Sequence, residues 1–141
     1  EIYKYVGDEA IITWKPKHAF KNANCIWCFL NIREVINSKS DYYLNKYGMV
    51  PEFKAGMHCG LAVTGELGYT KREIAYMGDV LNTTARIQEA CKSYGKSLLI
   101  SEAILERIPG KNRFNFSGVG EVTLRGKVTG INLYGFENAD S

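Results

Sequence analysis

An eleven-residue alternation from position 53 to 63 constrains this chain most. Phe53, Ala55, Met57, Cys59, Leu61 and Val63 fall on one side of an extended backbone, and Gly56, His58, Gly60 and Ala62 on the other. A period of two with one apolar side is the pattern of a half-buried β-strand, and such a strand needs something to cover it. Two helical stripes are available. Cys25, Cys28, Phe29, Ile32 and Ile36 recur at i, i+3, i+4, i+7 and i+11, and Val80, Thr84, Ile87, Cys91 and Tyr94 form a second apolar line. A chain of 141 residues can close such layers into one core, burying roughly two thirds of its unfolded surface without metals or disulfides.

The remaining signals give an order of ββαββαβ(α)ββ, an α+β sheet with helices packed on it. Residues 1 to 6 alternate and run into Gly7-Asp8-Glu9, a tight turn, and residues 10 to 14 return as the second strand of a hairpin. Pro16 ends it. A helix is expected from Ala19 to about Ser38, a polar, Tyr-rich connection over 39 to 50, and a hairpin at 65 to 72 with its return strand at 73 to 77. Asp79 suits an N-cap and Gly95 a C′ position, which frames the second helix. A strand at 97 to 100, a short helix at 102 to 107 and strands at 120 to 124 and 131 to 136 complete the chain.

Composition excludes several classes. With 18 basic against 15 acidic residues the net charge is +3, scattered along the chain, too small a footprint for nucleic acid. A small polyanion remains open as a ligand. No run reaches the ~18 uninterrupted apolar residues of a membrane span, so this segment is expected to make no membrane contact. The four cysteines are better explained as buried thiols of a cytoplasmic protein than as bridges, because two of them sit on a packed helical stripe. Cys25-x-x-Cys28 has no second ligand pair for zinc. The chain opens at Glu1 on what already reads as strand, so it is expected to continue a longer protein that could carry a membrane anchor.

Three features carry chemistry, and each has an ordinary reading. Asp8, in a tight turn between strands, places a carboxylate where it can reach a hard cation, or it is simply a turn residue. Asn82 and Arg86, four apart, can present an amide and a guanidinium together to a sugar and a phosphate, or they belong to a solvated stripe shared with Glu89 and Ser93. Leu124-Arg-Gly-Lys127 puts two cations beside a glycine near a strand end, as a basic surface turn also would. His58 shares its face with no other ligand type and is expected to pack. His18 is expected to be structural.

Lys4-Tyr-Val-Gly-Asp8, Lys17-His-Ala, Gly78-Asp-Val-Leu-Asn82-Thr-Thr-Ala-Arg86 and Gly120-Glu-Val-Thr-Leu-Arg-Gly-Lys127, in this order, resemble the class III adenylyl and guanylyl cyclase domain. The resemblance runs from Lys4 to about Phe136. It implies a ferredoxin-like sheet with helices packed on it, pairing head to tail as a homodimer with active sites at the interface. By the same resemblance Asp8 is the second metal aspartate for two Mg²⁺ or Mn²⁺ ions. The first aspartate and the triphosphate loop belong to an earlier strand, so residues 1 to 141 would be one catalytic domain lacking its first strand and following helices, inactive alone. Arg86 matches the arginine that stabilises the transition state, Asn82 the residue that orients the ribose, and Arg125 a lysine that contacts the terminal phosphates. The hairpin tip at 69 to 72 would reach toward the partner.

The resemblance also bears on the base. Lys4 matches the lysine that donates to adenine N1, where guanylyl cyclases carry a glutamate suited to the guanine N1–H. Ala75 stands at the second base-reading position, usually Asp or Thr, and cannot accept a hydrogen bond from the adenine amino group. Losing one bond of ~1 kcal/mol softens discrimination without reversing it. ATP conversion to cyclic AMP and pyrophosphate is the expected reaction. The alternatives are a guanylyl cyclase or a non-catalytic module of the same shape. A diguanylate cyclase, suggested by Gly7-Asp8-Glu9, leaves the Asn-x-x-x-Arg helix unexplained.

Overall fold

The computed structural model describes residues 2–6, 9–60, 71–123 and 130–137, with side chains described from residue 9 onward except at 71–77. β1 (Ile2–Val6) and β2 (Glu9–Ile12) form an antiparallel hairpin in which Lys4 lies opposite Ile11 and Val6 opposite Glu9. Pro16 then opens α1 (Pro16–Phe20), at the helical position where a missing N–H costs nothing.

The single helix expected from residue 19 is broken. Asn22 and Ala23 take left-handed φ values of 54° and 57°, and α2 (Asn24–Ser38) starts afresh. Left-handed backbone costs an alanine roughly 1–2 kcal/mol. Complete burial of the Ala23 methyl offsets about 0.8 kcal/mol of it, and the Asn24 amide donates to the His18 carbonyl at 3.0 Å, tying the two helices together. The bond is to the His18 backbone carbonyl, and the His18 side chain itself is exposed.

The expected connection at 39 to 50 is largely α3 (Ser40–Tyr47). Its signals are local: Asp41 in the first turn, Lys46 in the last, and Gly48 closing it at φ 78°. Lys46 donates to the Tyr42 hydroxyl at 3.1 Å, and the rings of Tyr42 and Tyr43 meet edge to face with centroids 5.4 Å apart.

Of the long alternation, only β3 (Ala55–Met57) is paired as strand; residues 58–60 leave the ladder and 61–70 lie outside the described residues. A second correction follows. The return strand expected at 73 to 77 is the first part of α4 (Lys71–Tyr94), and Asp79 sits inside this helix instead of capping it. Lys71, Arg72, Glu73, Ala75 and Met77 favour helix, and one interior glycine at 78 costs only ~1 kcal/mol against a 24-residue element.

β4 (Leu98–Ser101), α5 (Glu102–Leu105), β5 (Phe116–Val122) and β6 (Ile131–Phe136) complete the fold. The sheet order is β3-β4-β6-β5, with β3 parallel to β4 and the other pairs antiparallel. β5 begins four residues before the expected start, and its ladder shifts between Gly118 and Gly120, where Gly120 takes φ 93°. Every residue of β4 is buried, and they divide between two cores. Leu98 and Ile100 meet Cys25, Ile26 and Phe29 of α2; Leu99 joins Leu133 against Ile87 and Cys91 of α4. The sheet thus lies between α2 and α4. No helix among the described residues is long and apolar enough to cross a membrane.

Candidate active site

The position of α4 is set by a glycine. At Gly56 a Cβ would stand 2.5 Å from the Gln88 backbone nitrogen and 3.0 Å from the Thr84 carbonyl oxygen, so only glycine lets the helix lie this close to β3. Beside that contact the Cys91 thiol lies 3.3 Å from the Ala55 carbonyl oxygen. Ile87 and Cys91 are fully buried and Thr83 is nearly so. Each buried Ile or Leu here contributes ~1.5–3 kcal/mol, which holds the inner side of the helix on the sheet. Burial pushes the thiols of Cys25 and Cys91 up to about 11, in keeping with packing roles.

What the inner side fixes, the outer side displays. Asn82 is exposed, and Arg86 one turn later keeps 36% of its side chain in solvent. The Arg86 Nη1 donates to both carboxylate oxygens of Glu89 at 3.1 Å. Among the described residues its Nε and Nη2 make no hydrogen bond. An amide and a permanently charged guanidinium, carried side by side on a packed helix, can orient a hydroxylated sugar and meet an anionic phosphoryl group.

The other sequence-derived positions are less completely described. Lys4 lies in β1, on a hairpin that shares no ladder with the four-stranded sheet among the described residues. Ala75 lies in α4, two turns before Asn82, instead of on a strand. Asp8 and Arg125 fall outside the described residues, as do positions 69 and 70 of the hairpin expected to reach toward a partner. Among the described residues no three His, Cys, Asp or Glu side chains gather into a metal cage, so the fit of a metal to this chain turns on Asp8. His58 packs as expected, its Nδ1 2.9 Å from the Oγ of the buried Ser101.

A mixed four-stranded sheet with α4 laid on it, carrying Asn82 and Arg86, agrees with the α+β class of the cyclase catalytic domain. Residues 4–138 match the adenylate and guanylate cyclase catalytic domain, and the chain belongs to that family. It is 37% identical over 123 residues to adenylate cyclase 2 of Rhizobium meliloti (strain 1021), covering 87% of this chain and 34% of that protein. Adenylate cyclase 1 of the same organism is 28% identical over 141 residues, covering 94% of this chain and 20% of that protein. The adenylate cyclase of Anabaena cylindrica is 25% identical over 137 residues, covering 94% and 27%. The chain therefore spans about a third or less of the length of these relatives. No solved structure matches it.

Two residues that matter to the site were not singled out from the sequence. Gly56 was read only as part of a strand's plain face, although a glycine inside a strand is a signal of close backbone approach. Glu89 was placed on the same stripe as Arg86, but spacing alone did not show the bond between them.

Proposed function

We propose that this domain converts ATP to cyclic AMP and pyrophosphate at the interface of a homodimer. The ribose 3′-oxygen attacks the α-phosphorus in line, the bond from that phosphorus to the β-phosphate oxygen breaks, and the 3′-hydroxyl proton leaves to solvent or a nearby base. The observation that carries the reading is the placement of Asn82 and Arg86, one turn apart on the outward side of a helix pinned to the sheet. In this reading Asn82 orients the ribose. Arg86 meets the charge that builds on the phosphoryl oxygens, where a fixed cation contributes most.

Lys4 reads adenine N1, Ala75 leaves the amino group without a side-chain acceptor, and Arg125 binds the terminal phosphates. Asp8 would help hold two divalent cations, Mg²⁺ or Mn²⁺, which when bound would supply a lowered 3′-hydroxyl pKa and charge neutralisation of the leaving pyrophosphate. The family's cyclase chemistry and the carboxylate of Asp8 support this assignment. By the family resemblance, the first metal aspartate is assigned to an earlier strand of the full-length protein. A homodimer is consistent with one chain carrying Lys4, Asp8, Asn82 and Arg86 together, since two copies then form equivalent sites.

The test is cyclic AMP and pyrophosphate formation by the full-length protein with MgATP or MnATP, and its loss on chelation. Arg86→Ala is expected to lower kcat by at least about a hundredfold, since a transition-state arginine is worth ~10³ or more in related phosphoryl transfers. Turnover surviving that change within tenfold would remove Arg86 from its role. GTP turned over as fast as ATP would overturn the assignment of Lys4.

A further inference from the structure

The contact between Arg86 and Glu89 has a geometry that matters to catalysis. A carboxylate and a guanidinium can pair fork to fork through two nitrogens. Here Glu89 engages Nη1 alone, with both of its oxygens at 3.1 Å. One corner of the guanidinium is thereby tied to the helix that carries it. The Nε and Nη2 edge, which bonds no described residue, keeps the parallel pair of donors that matches two oxygens of a phosphoryl group.

We propose that Glu89 is a positioning residue for Arg86, holding the guanidinium by Nη1 so that its Nε and Nη2 edge faces the nucleotide. The proposal rests on the nucleotidyl-transfer reading of Arg86. In the uncovered chain, with side-chain exposures of 36% and 56%, an ion pair at i, i+3 favours the held rotamer by a factor of only about two. Once nucleotide and partner subunit exclude water, the same bonds strengthen, and their loss costs about the worth of one net hydrogen bond, about fivefold in rate. The opposite role, a brake that keeps Arg86 from the phosphate, predicts the opposite sign, because removing a brake raises turnover.

The experiment compares the full-length wild type with Glu89→Ala, Glu89→Gln, Arg86→Ala and the double variant Arg86→Ala/Glu89→Ala, measuring kcat and KM for MgATP. Glu89→Ala is expected to lower kcat about fivefold with KM within about twofold. Glu89→Gln, which keeps one acceptor oxygen, is expected to recover most of that loss. In the Arg86→Ala background, Glu89→Ala is expected to change nothing further, because the group it positions is gone. A Glu89→Ala kcat equal to or above wild type, or an equal loss in both backgrounds, overturns the proposal.

A readout independent of turnover separates this from the catalytic reading. In protein labelled at arginine, the Nε–Hε signal that vanishes in Arg86→Ala should show slowed guanidinium rotation in wild type and faster rotation in Glu89→Ala. The same rotation rate in both overturns the anchoring. If the signal responds to Glu89→Ala while the wild type makes no cyclic nucleotide, the anchoring stands and the transfer reading falls.

Discussion

Gly56→Ala tests how the site is held in place. The added methyl would lie 2.5 Å from the Gln88 nitrogen, 2.9 Å from its Cα and 3.0 Å from the Thr84 carbonyl oxygen. All three are backbone atoms of α4, so no rotamer change relieves the clash. Ordinary contact begins near 3.4 Å, and the helix must therefore retreat from β3 by about 1 Å. That movement loosens Ile87 and Cys91 against Leu99 and Leu133, which form the core on this face. Overpacking against a rigid element costs ~2–3 kcal/mol, and a domain of this size loses about 4 °C of Tm per kcal/mol. Thermal and urea unfolding of the 141-residue chain should show a Tm lower by about 8–12 °C. With the proposed roles of Asn82 and Arg86, kcat of the full-length protein should fall further than stability explains, since about 1 Å of misplacement can cost up to about 100-fold. A Tm within about 2 °C of wild type would refute the argument that this contact sets the position of α4.

Gly78→Ala should have the opposite sign: the residue lies within α4 with nothing inside 4 Å of its added Cβ, so stability should rise by ~0.5–1 kcal/mol in urea melts. A loss of stability there would mean that residue 78 does not sit in a helix. On the alkaline side, burial raises the Cys25 and Cys91 thiols from 9.0 to about 11. Between those values the unfolded chain sheds thiol protons that the folded chain keeps, so stability falls as pH rises, by up to ~1.4 kcal/mol per pH unit per thiol. Urea melts from pH 8 to 10.5 should show this fall lessened in a Cys25→Ala/Cys91→Ala variant, and an unchanged slope counts against it. On the acid side, hydrogen bonds from Lys96 and Ser117 hold the Glu137 carboxyl below its ordinary value. Its stabilisation is present above the ordinary glutamate range and is lost as pH falls through and below it. Glu137→Gln should flatten that acid limb; a limb as steep as wild type shows that the bonds contribute nothing.

The sequence was most informative where one period persisted. β6 was placed at residues 131 to 136 from its pattern, and the inner side of α4 was legible because Ile87 and Cys91 are four apart and both fully buried. The same period overshot at its ends: Ile32 and Tyr94 lie on the expected stripes yet are 39% and 40% exposed, where their helices pass beyond the cores described. α3 was missed because its tyrosines pack on one another along the helix, which reads as polar connection when apolar spacing is the only criterion. The start of α4 was misread because Asp79 has the chemistry of an N-cap. Capping preference is worth ~1 kcal/mol, less than the cooperative gain of extending the helix back from residue 80 to Lys71. For the site, spacing put Asn82 and Arg86 on one outward stripe. The Glu89 bond depends on rotamers and the Gly56 contact on how layers meet, neither of which spacing encodes.

The two sides of α4 divide stability from chemistry. Thr83, Ile87 and Cys91 face the sheet and are buried, while Asn82, Arg86 and Glu89 lie on the outward stripe and gain almost nothing for folding. Exposed polar residues in a helix change stability by little when substituted, so folding alone places weak demands on them. The inner side is constrained to a fraction of an ångström by Gly56, and the precision of the outer side is inherited from it. Substitutions at Asn82, Arg86 or Glu89 should therefore change turnover with near-normal melting, whereas Gly56→Ala should change both together. That contrast separates the residues proposed to serve the nucleotide, directly or through Arg86, from the glycine that determines where their helix stands.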